Sequence, residues 1–335
     1  MKEGNLRVNF DSKQAQNKFK RLRYDRVIIV AVFFAAIIFI ICLIHGAVSK
    51  DKKNINETSS QTSTNSTADT TVHTGGRIEF QKIYVSYEEI HKGELILVNN
   101  EHEYIFPDDE SSQLICLDEV KNDFYKIKDI NISMNKLAAK ALNSMMSGFF
   151  QEKSNKDIMI TGAYISKNQQ NLMYNQALEN SIKITKGGYS EHHTGLAVDM
   201  SIYSEKENLK PFSPVGKYEW IKENCTKYGF VRRYPPEKSD ITGIKDHFEH
   251  FRYVGIPHAY YMTENNITLE EYIELLKNYT FGNKSLSFSC YSKNYEVYYI
   301  KAKSSGGNVD VYVPSTNSYT ISGNNVDGFI ITVEK

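Results

Sequence analysis

The run Val27–Ile44, VIIVAVFFAAIIFIICLI, holds eighteen apolar residues and no charge. A helix of about twenty residues, rising 1.5 Å per residue, crosses a hydrocarbon core of ~30 Å. A buried core helix keeps a polar stripe, and this run has none. Its length exceeds the apolar stretch of a cleaved signal peptide. The pattern therefore predicts a transmembrane helix over residues 27–48 that anchors the chain in a lipid bilayer. Residues 1–26 carry eight basic side chains against three acidic ones, so this tail is expected to stay cytoplasmic and the bulk to lie outside the cell membrane. Residues 49–76 are dominated by Ser, Thr and Asn and read as a disordered stalk, because they bury too little apolar surface to offset their ordering entropy.

Folded structure is expected from residue 77. Glu94–Asn99 is a short apolar run ending in a turn pair and predicts a strand. From Ser133, a plausible N-cap, residues Leu137, Ala138, Ala141, Leu142, Met145 and Phe149 recur at helical spacing and predict a core-packing helix. Strands are predicted at Asp157–Thr161 and Ala197–Tyr203. Helices are predicted at Lys217–Tyr228, stopped by Gly229, and at Leu269–Leu276, capped by Thr268. After Tyr279 the period changes to two: Leu286, Phe288, Cys290, then Tyr295, Val297, Tyr299, then Val309, Val311, Val313, and finally Phe329–Val333. The division that follows is a main domain over 77–280 and a small β appendage over 281–335.

Composition narrows the function. The 335 residues hold 40 basic and 40 acidic side chains, and this zero net charge argues against a nucleic-acid partner, which would require a basic face. Four cysteines without a CxxC pair argue against a cysteine zinc cluster and a disulfide scaffold.

The stretch with chemistry in it is Ser190-Glu-His-His-Thr-Gly-Leu-Ala-Val-Asp199. Gly195 lets the chain fold back, and a turn of this length can aim His192 and Asp199 at one point. Imidazole and carboxylate suit Zn²⁺, but a catalytic zinc takes three protein ligands. The densest other group is Asp246-His-Phe-Glu-His250. On the residues alone, a zinc site drawn from both clusters competes with histidines that sit on the surface or hydrogen-bond within a core. Arg232 and Arg233 read as exposed solubilising charges, His193 as a rim residue, and His258 as a cap or packing residue.

Ser190-x-His192-x-x-Gly195-x-Ala197-x-Asp199 resembles the SxHxxGxAxD motif of the VanY/VanX-type zinc D-alanyl-D-alanine peptidases. Phe230-Val-Arg-Arg-Tyr-Pro235 and His250-Phe-Arg-Tyr-Val-Gly255 are similar to further segments of the VanY-like branch. The resemblance covers roughly residues 80–280. It implies an α+β fold, D,D-peptidase/hedgehog-like, with a small antiparallel sheet flanked by helices. It implies Zn²⁺ on His192, Asp199 and His250, and contact of Ser190 with the free carboxylate of a peptidoglycan stem peptide.

Two departures stand beside the match. The family's acid/base Glu, three residues before the second zinc histidine, is His247 here, and Glu249 directly precedes that histidine. The family's GYRSYxxQ becomes Gly162-Ala-Tyr-Ile-Ser-Lys-Asn-Gln169, so its oxyanion-stabilising Arg aligns with Tyr164 and its Gln with Gln169. His247 and Glu249 are alternative acid/base candidates, and Tyr164 is the candidate neutral donor. Two functions follow: a membrane-anchored zinc carboxypeptidase, or a catalytically impaired, zinc-retaining module that binds wall peptide.

Overall fold

The computed structural model describes residues 78–180, 184–204, 208–245, 247–303 and 306–335. The tail, the transmembrane run and the stalk lie outside the described residues. Among the described residues, no helix is long and apolar enough to cross a membrane.

The fold is α+β. β1 (Phe80–Ser86) leads through a 3-10 turn to an extended segment, and β2 (Leu114–Cys116) follows. β3 (Lys126–Ile127) pairs in parallel with β5 (Ile158–Gly162), while β4 (Ser133–Asn135) pairs with β2. β6 (Ala197–Ser204), β7 (Asn208–Pro211), β8 (Phe230–Tyr234) and β9 (His247–Tyr253) complete the main sheet, in the order β3-β5-β6-β9-β8 with β7 beside β6. Apart from β3, every pairing in this sheet is antiparallel.

The helix Lys136–Lys153 covers one face of the sheet. Its Ala138, Leu142, Met145 and Phe149 pack with Ile160, Val198, Met200 and Phe251 in one core. Its cap is Asn135, whose side chain accepts from Leu137 N–H at 2.9 Å, and not Ser133. Ser133 is drawn into β4 opposite Cys116, which leaves the next free oxygen to cap and turns Leu137 to solvent. The predicted helix over Lys217–Tyr228 is split into a 3-10 turn, a short α-helix Glu219–Asn224 and a second 3-10 turn, ended by Gly229 at φ +82°. The helix Leu269–Leu276 is as the pattern predicts. Thr268 and Glu271 form a reciprocal capping box.

Leu95–Val98 is not a strand. All four residues are buried, and the segment's backbone groups bond to the side chains of Arg252, Ser322 and Asn325 and to the Asn324 carbonyl rather than pairing in a ladder. An apolar run covered on all sides carries no period by which a strand could be told apart.

The C-terminal strands β10 (Leu286–Cys290), β11 (Lys293–Lys301), β12 (Asn308–Pro314), β13 (Tyr319–Gly323) and β14 (Gly328–Glu334) form a sheet in the order β10-β11-β14-β13, while β12 pairs with β1. One sheet face, with Leu286, Val297 and Ile330, packs on the helices Ile256–Glu264 and Leu269–Leu276. The other, with Phe329, Ile331 and Val333, packs on Val309, Val311 and Val313. β14 is therefore buried on both faces. His258 joins the helices to this sheet, bonding Tyr272 Oη at 2.9 Å and Thr332 Oγ1 at 3.0 Å. Burial holds its pKa down to about 3, so the ring is a neutral fixture.

At Gly323 an added Cβ would lie 2.1 Å from the Ile90 carbonyl oxygen, which is backbone and cannot step aside. Gly323→Ala should therefore cost about 3 kcal/mol of stability. A denaturant midpoint unchanged from the parent would refute this close packing.

Candidate metal centre

His192 lies on the 3-10 turn Glu191–Thr194, which Ser190 caps by accepting from His192 N–H and which ends at Gly195 with φ +66°. The left-handed glycine reverses the chain into β6, so Asp199 faces back to His192. β9 pairs beside β6 with His250 directly opposite Asp199. Local turn and sheet register together place three donors from distant parts of the chain at one point. Ligand atoms of His192, Asp199 and His250 all lie within 4.8 Å of one another.

The individual contacts favour a cation. His192 Nδ1–H donates to the Ala163 carbonyl at 2.6 Å, which leaves the Nε2 lone pair facing Asp199 Oδ2 at 3.1 Å. Two acceptors that close repel unless a cation lies between them. On the other side, His250 Nδ1 sits 2.9 Å from Asp199 Oδ1, and Nε2 sits 3.3 Å from Glu191 Oε2. Burial alone would disfavour a charged His250 ring, but hydrogen bonds to Asp199 and Glu191 overcome it and push the pKa up to about 9. Burial acts against the Asp199 carboxylate too, yet the two imidazoles hold it well below the usual range. Gly162 lies opposite Asp199, and an added Cβ would lie 3.0 Å from Oδ2, so the carboxylate would have to give by a few tenths of an ångström. Two imidazoles and a carboxylate are a donor set that fits Zn²⁺, and a carboxylate behind a ligating imidazole is its usual outer support.

Glu191, inside the motif but fixed by none of its letters, is the hub that the sequence leaves unmarked. Its side chain has no exposure and accepts from Arg233 Nε at 2.7 Å and Arg252 Nη1 at 2.9 Å. Arg233 also holds Glu270 through two bonds, at 2.9 and 2.6 Å. Arg233 is thus a buried ion-pair partner, contrary to the expected solubilising charge. A pair of adjacent arginines in an apolar strand was the available signal. Arg232 instead lies over the Phe248 ring. Burial opposes ionisation of Glu191, but the two guanidiniums and His250 hold it well below the usual carboxylate range.

His193 is not at the rim: it is fully buried, with Nδ1–H donating to the Ile165 carbonyl at 2.6 Å and Nε2 accepting from Gly188 N–H at 2.9 Å. Ser190 is buried beside it. Tyr164 is half-buried on the loop after β5, with its N–H on the Ser133 carbonyl. Gln169 is exposed, and its neighbour Gln170 is the buried amide, donating to the Thr185 carbonyl. His247 and Glu249 fall outside the three-residue cluster. They lie where β9 carries two more residues than β8 between the pairs Arg232↔Phe251 and Tyr234↔His247. His247 Nδ1 is 3.7 Å from Glu249 Oε1, and the Tyr234 ring adjoins both His247 and His250, at centroid distances of 6.1 and 4.9 Å. Tyr234 is thus the ring shared by His247 and His250. Cys116, Cys225 and Cys290 are free thiols.

The family model for VanY, D-alanyl-D-alanine carboxypeptidase, matches residues 131–256. A D-alanyl-D-alanine carboxypeptidase of Enterococcus faecium is 34% identical over 256 residues, covering 76% of this chain and 79% of that protein. The bifunctional D-Ala-D-Ala dipeptidase and D-Ala-D-Ala carboxypeptidase VanXYC of Enterococcus gallinarum is 35% identical over 130 residues, covering 36% of this chain and 68% of that one. The crystal structure of the vancomycin-resistance D,D-dipeptidase VanXYg, in complex with a D-Ala-D-Ala phosphinate analog, matches with TM-score 0.66 at 29% identity, over 76% of this chain and 99% of that chain. A fold of this class, with such a centre, belongs to the D-alanyl-D-alanine peptidases. Within them, this chain is a member of the VanY family of D-alanyl-D-alanine carboxypeptidases.

Removing the charge of Glu191 would strand Arg252 and loosen His250. Glu191→Gln should cost about 3–5 kcal/mol of stability at neutral pH. Because the folded-state pKa is depressed, the parent's extra stability is present above the unfolded value of ~4.3 and declines as pH falls below it. The stability difference between parent and variant should therefore shrink in acid. A pH-independent difference in denaturation curves would contradict the ion-pair account.

Proposed function

We propose that this chain is a membrane-anchored zinc carboxypeptidase that removes the terminal D-alanine from peptidoglycan stem peptides outside the cell membrane. The observation that carries this reading is the convergence of His192, Asp199 and His250 within 4.8 Å, in a member of the VanY family. These three residues would hold Zn²⁺. When bound, the ion supplies a Lewis acid and lowers the pKa of a coordinated water towards ~7.

The chain's own residues have distinct tasks. His192 is fixed in one tautomer by the Ala163 carbonyl, and His250 is oriented by Glu191. Ser190, whose oxygen already accepts from His192 N–H, retains its hydroxyl hydrogen to donate to the carboxylate that ends the substrate. Tyr164, where the family carries Arg, donates a neutral hydrogen bond as negative charge develops on the carbonyl oxygen, and Gln169 offers an amide at the start of the next helix. His247 accepts a proton from the attacking water and returns it to the leaving amine, and the Glu249 carboxylate steadies its Nδ1 side. The placement of His247 beside Tyr234 supports this assignment.

The apolar span over residues 27–48 supports a single-pass anchor with the N-terminus cytoplasmic, and the polar residues 49–76 support a tether long enough to reach immobile wall substrate. The zinc-loaded chain should release D-alanine from a pentapeptide ending in D-Ala-D-Ala, and chelation should abolish release. His247→Ala should lower kcat by about 10²–10⁴. Saturable binding of that pentapeptide by the parent without any product would instead identify a wall-peptide binding module. Unchanged kcat in the variant would remove His247 from the chemistry.

A further inference from the structure

We propose that the Asn324–Asp327 turn of the C-terminal sheet positions the metal-bearing loop, with Asn325 as the positioning residue. Asn325 is 7% exposed and holds φ +58°. Its Nδ2 donates to the Leu97 carbonyl at 2.8 Å and the Glu103 carbonyl at 3.0 Å. Its Oδ1 lies 2.6 Å from His91 Nδ1, and its N–H donates to the Ile90 carbonyl at 2.7 Å. The turn itself is rigid, because Asn324 Oδ1 accepts from the N–H groups of Val326, Asp327 and Gly328. Leu97 N–H donates to the Asn324 carbonyl. Chain with no ladder of its own is thus held by this turn and by the end of β13 before it, where Ser322 Oγ accepts from Leu95 N–H at 2.9 Å and Gly323 N–H donates to the Lys92 carbonyl at 2.8 Å.

The same segment is gripped from the site side. Arg252, two residues beyond His250, donates to the carbonyls of Glu94 and Ile96 at 2.9 and 3.0 Å. Further along, Tyr104 N–H donates to the Gly188 carbonyl at 2.7 Å, and the Tyr104 and Phe106 rings pack on His193 with centroids 6.2 and 5.0 Å away. The Glu103 side chain reaches Lys167 Nζ at 2.8 Å and Tyr189 Oη at 3.4 Å. The approach is close: a Cβ on Gly188 would fall 2.6 Å from Glu103 Oε1, so the carboxylate would have to move. Gly188, Tyr189 and His193 bracket Ser190 and His192 in sequence, and His193 ties them to the Ile165 carbonyl. The contacts run without a gap from Asn325 through Glu103 and Tyr104 to the loop that presents Ser190 and His192, which is the physical condition for one site to hold another.

Amide hydrogen exchange on the full chain tests this. Asn325→Gly keeps the left-handed backbone and deletes only the side-chain bonds. Exchange at the Tyr104 and Gly188 amides should rise about tenfold, as loss of one buried bond of ~1.4 kcal/mol would give, while β11 and β14 keep their protection. Zinc affinity, by competition with a chelator, should fall about tenfold. Phe106→Ala, which leaves the turn intact, should likewise raise exchange at Gly188, and it decides the matter if the first variant loses protection throughout. Combined, the two substitutions should shift exchange by less than the sum of their separate effects. Parent-like exchange at Gly188 in the folded variants would overturn the proposal. The zinc measurement rests on the reading of the metal centre, but the exchange measurement does not and stands even if the parent releases no D-alanine.

Discussion

A carboxylate wholly out of water must be matched by charge, because an uncompensated buried ion costs several kcal/mol. Glu191 meets that demand with Arg233 from β8, Arg252 from β9 and the ring of His250. The partners come from two strands distant in sequence from Glu191, so satisfying one group fixes both strands and the turn that carries His192. Glu270 extends the network to the helix Leu269–Leu276. The three carboxylates of Glu191, Glu270 and Asp199 against two guanidiniums leave one negative charge, which a protonated His250 balances; a divalent cation beside a neutral His250 would more than offset it, leaving one positive charge. The affinity for a cation thus belongs to the whole network rather than to three ligands alone.

What the sequence makes legible is local. The capping box at Thr268, the strands β5 and β6 and the period-two strands near the C-terminus are set by neighbours a few residues apart, and they stand where the pattern puts them. The convergence of His192, Asp199 and His250 was legible only through a motif, because nothing in the spacing of Asp199 and His250 announces that they will face each other across paired strands. The groups that escaped are those whose meaning depends on burial. Arg233 looks solvated until Glu191 and Glu270 surround it, His193 looks like a rim residue until Gly188 and Ile165 take both its nitrogens, and Leu95–Val98 looks like a strand until side chains claim its carbonyls. Polar residues without periodicity carry no record of their partners.

The departures from the family motif fall in one neighbourhood. His247 and Glu249 occupy the bulged start of β9, and Tyr164 lies on the loop that also supplies the Ala163 carbonyl to His192. Asp199 and His250 face each other in the β6–β9 ladder, whereas His247 and Glu249 lie in the irregular stretch between β8 and β9. Bulges re-aim side chains and leave the ladder beyond them intact, so residues can differ there without disturbing the Asp199–His250 pairing.

β1 finds its partner 228 residues later, at the Lys82–Asp310 crossing with β12. Until β12 exists, the inner face of β1, with Ile83 and Val85, has nothing to lie against. Closing so long a loop is slow and its entropic toll is met only at the end. Among the described residues, the earliest strand to be synthesised is therefore among the last to be sheltered, and its inner face stays bare until the C-terminal strands are complete.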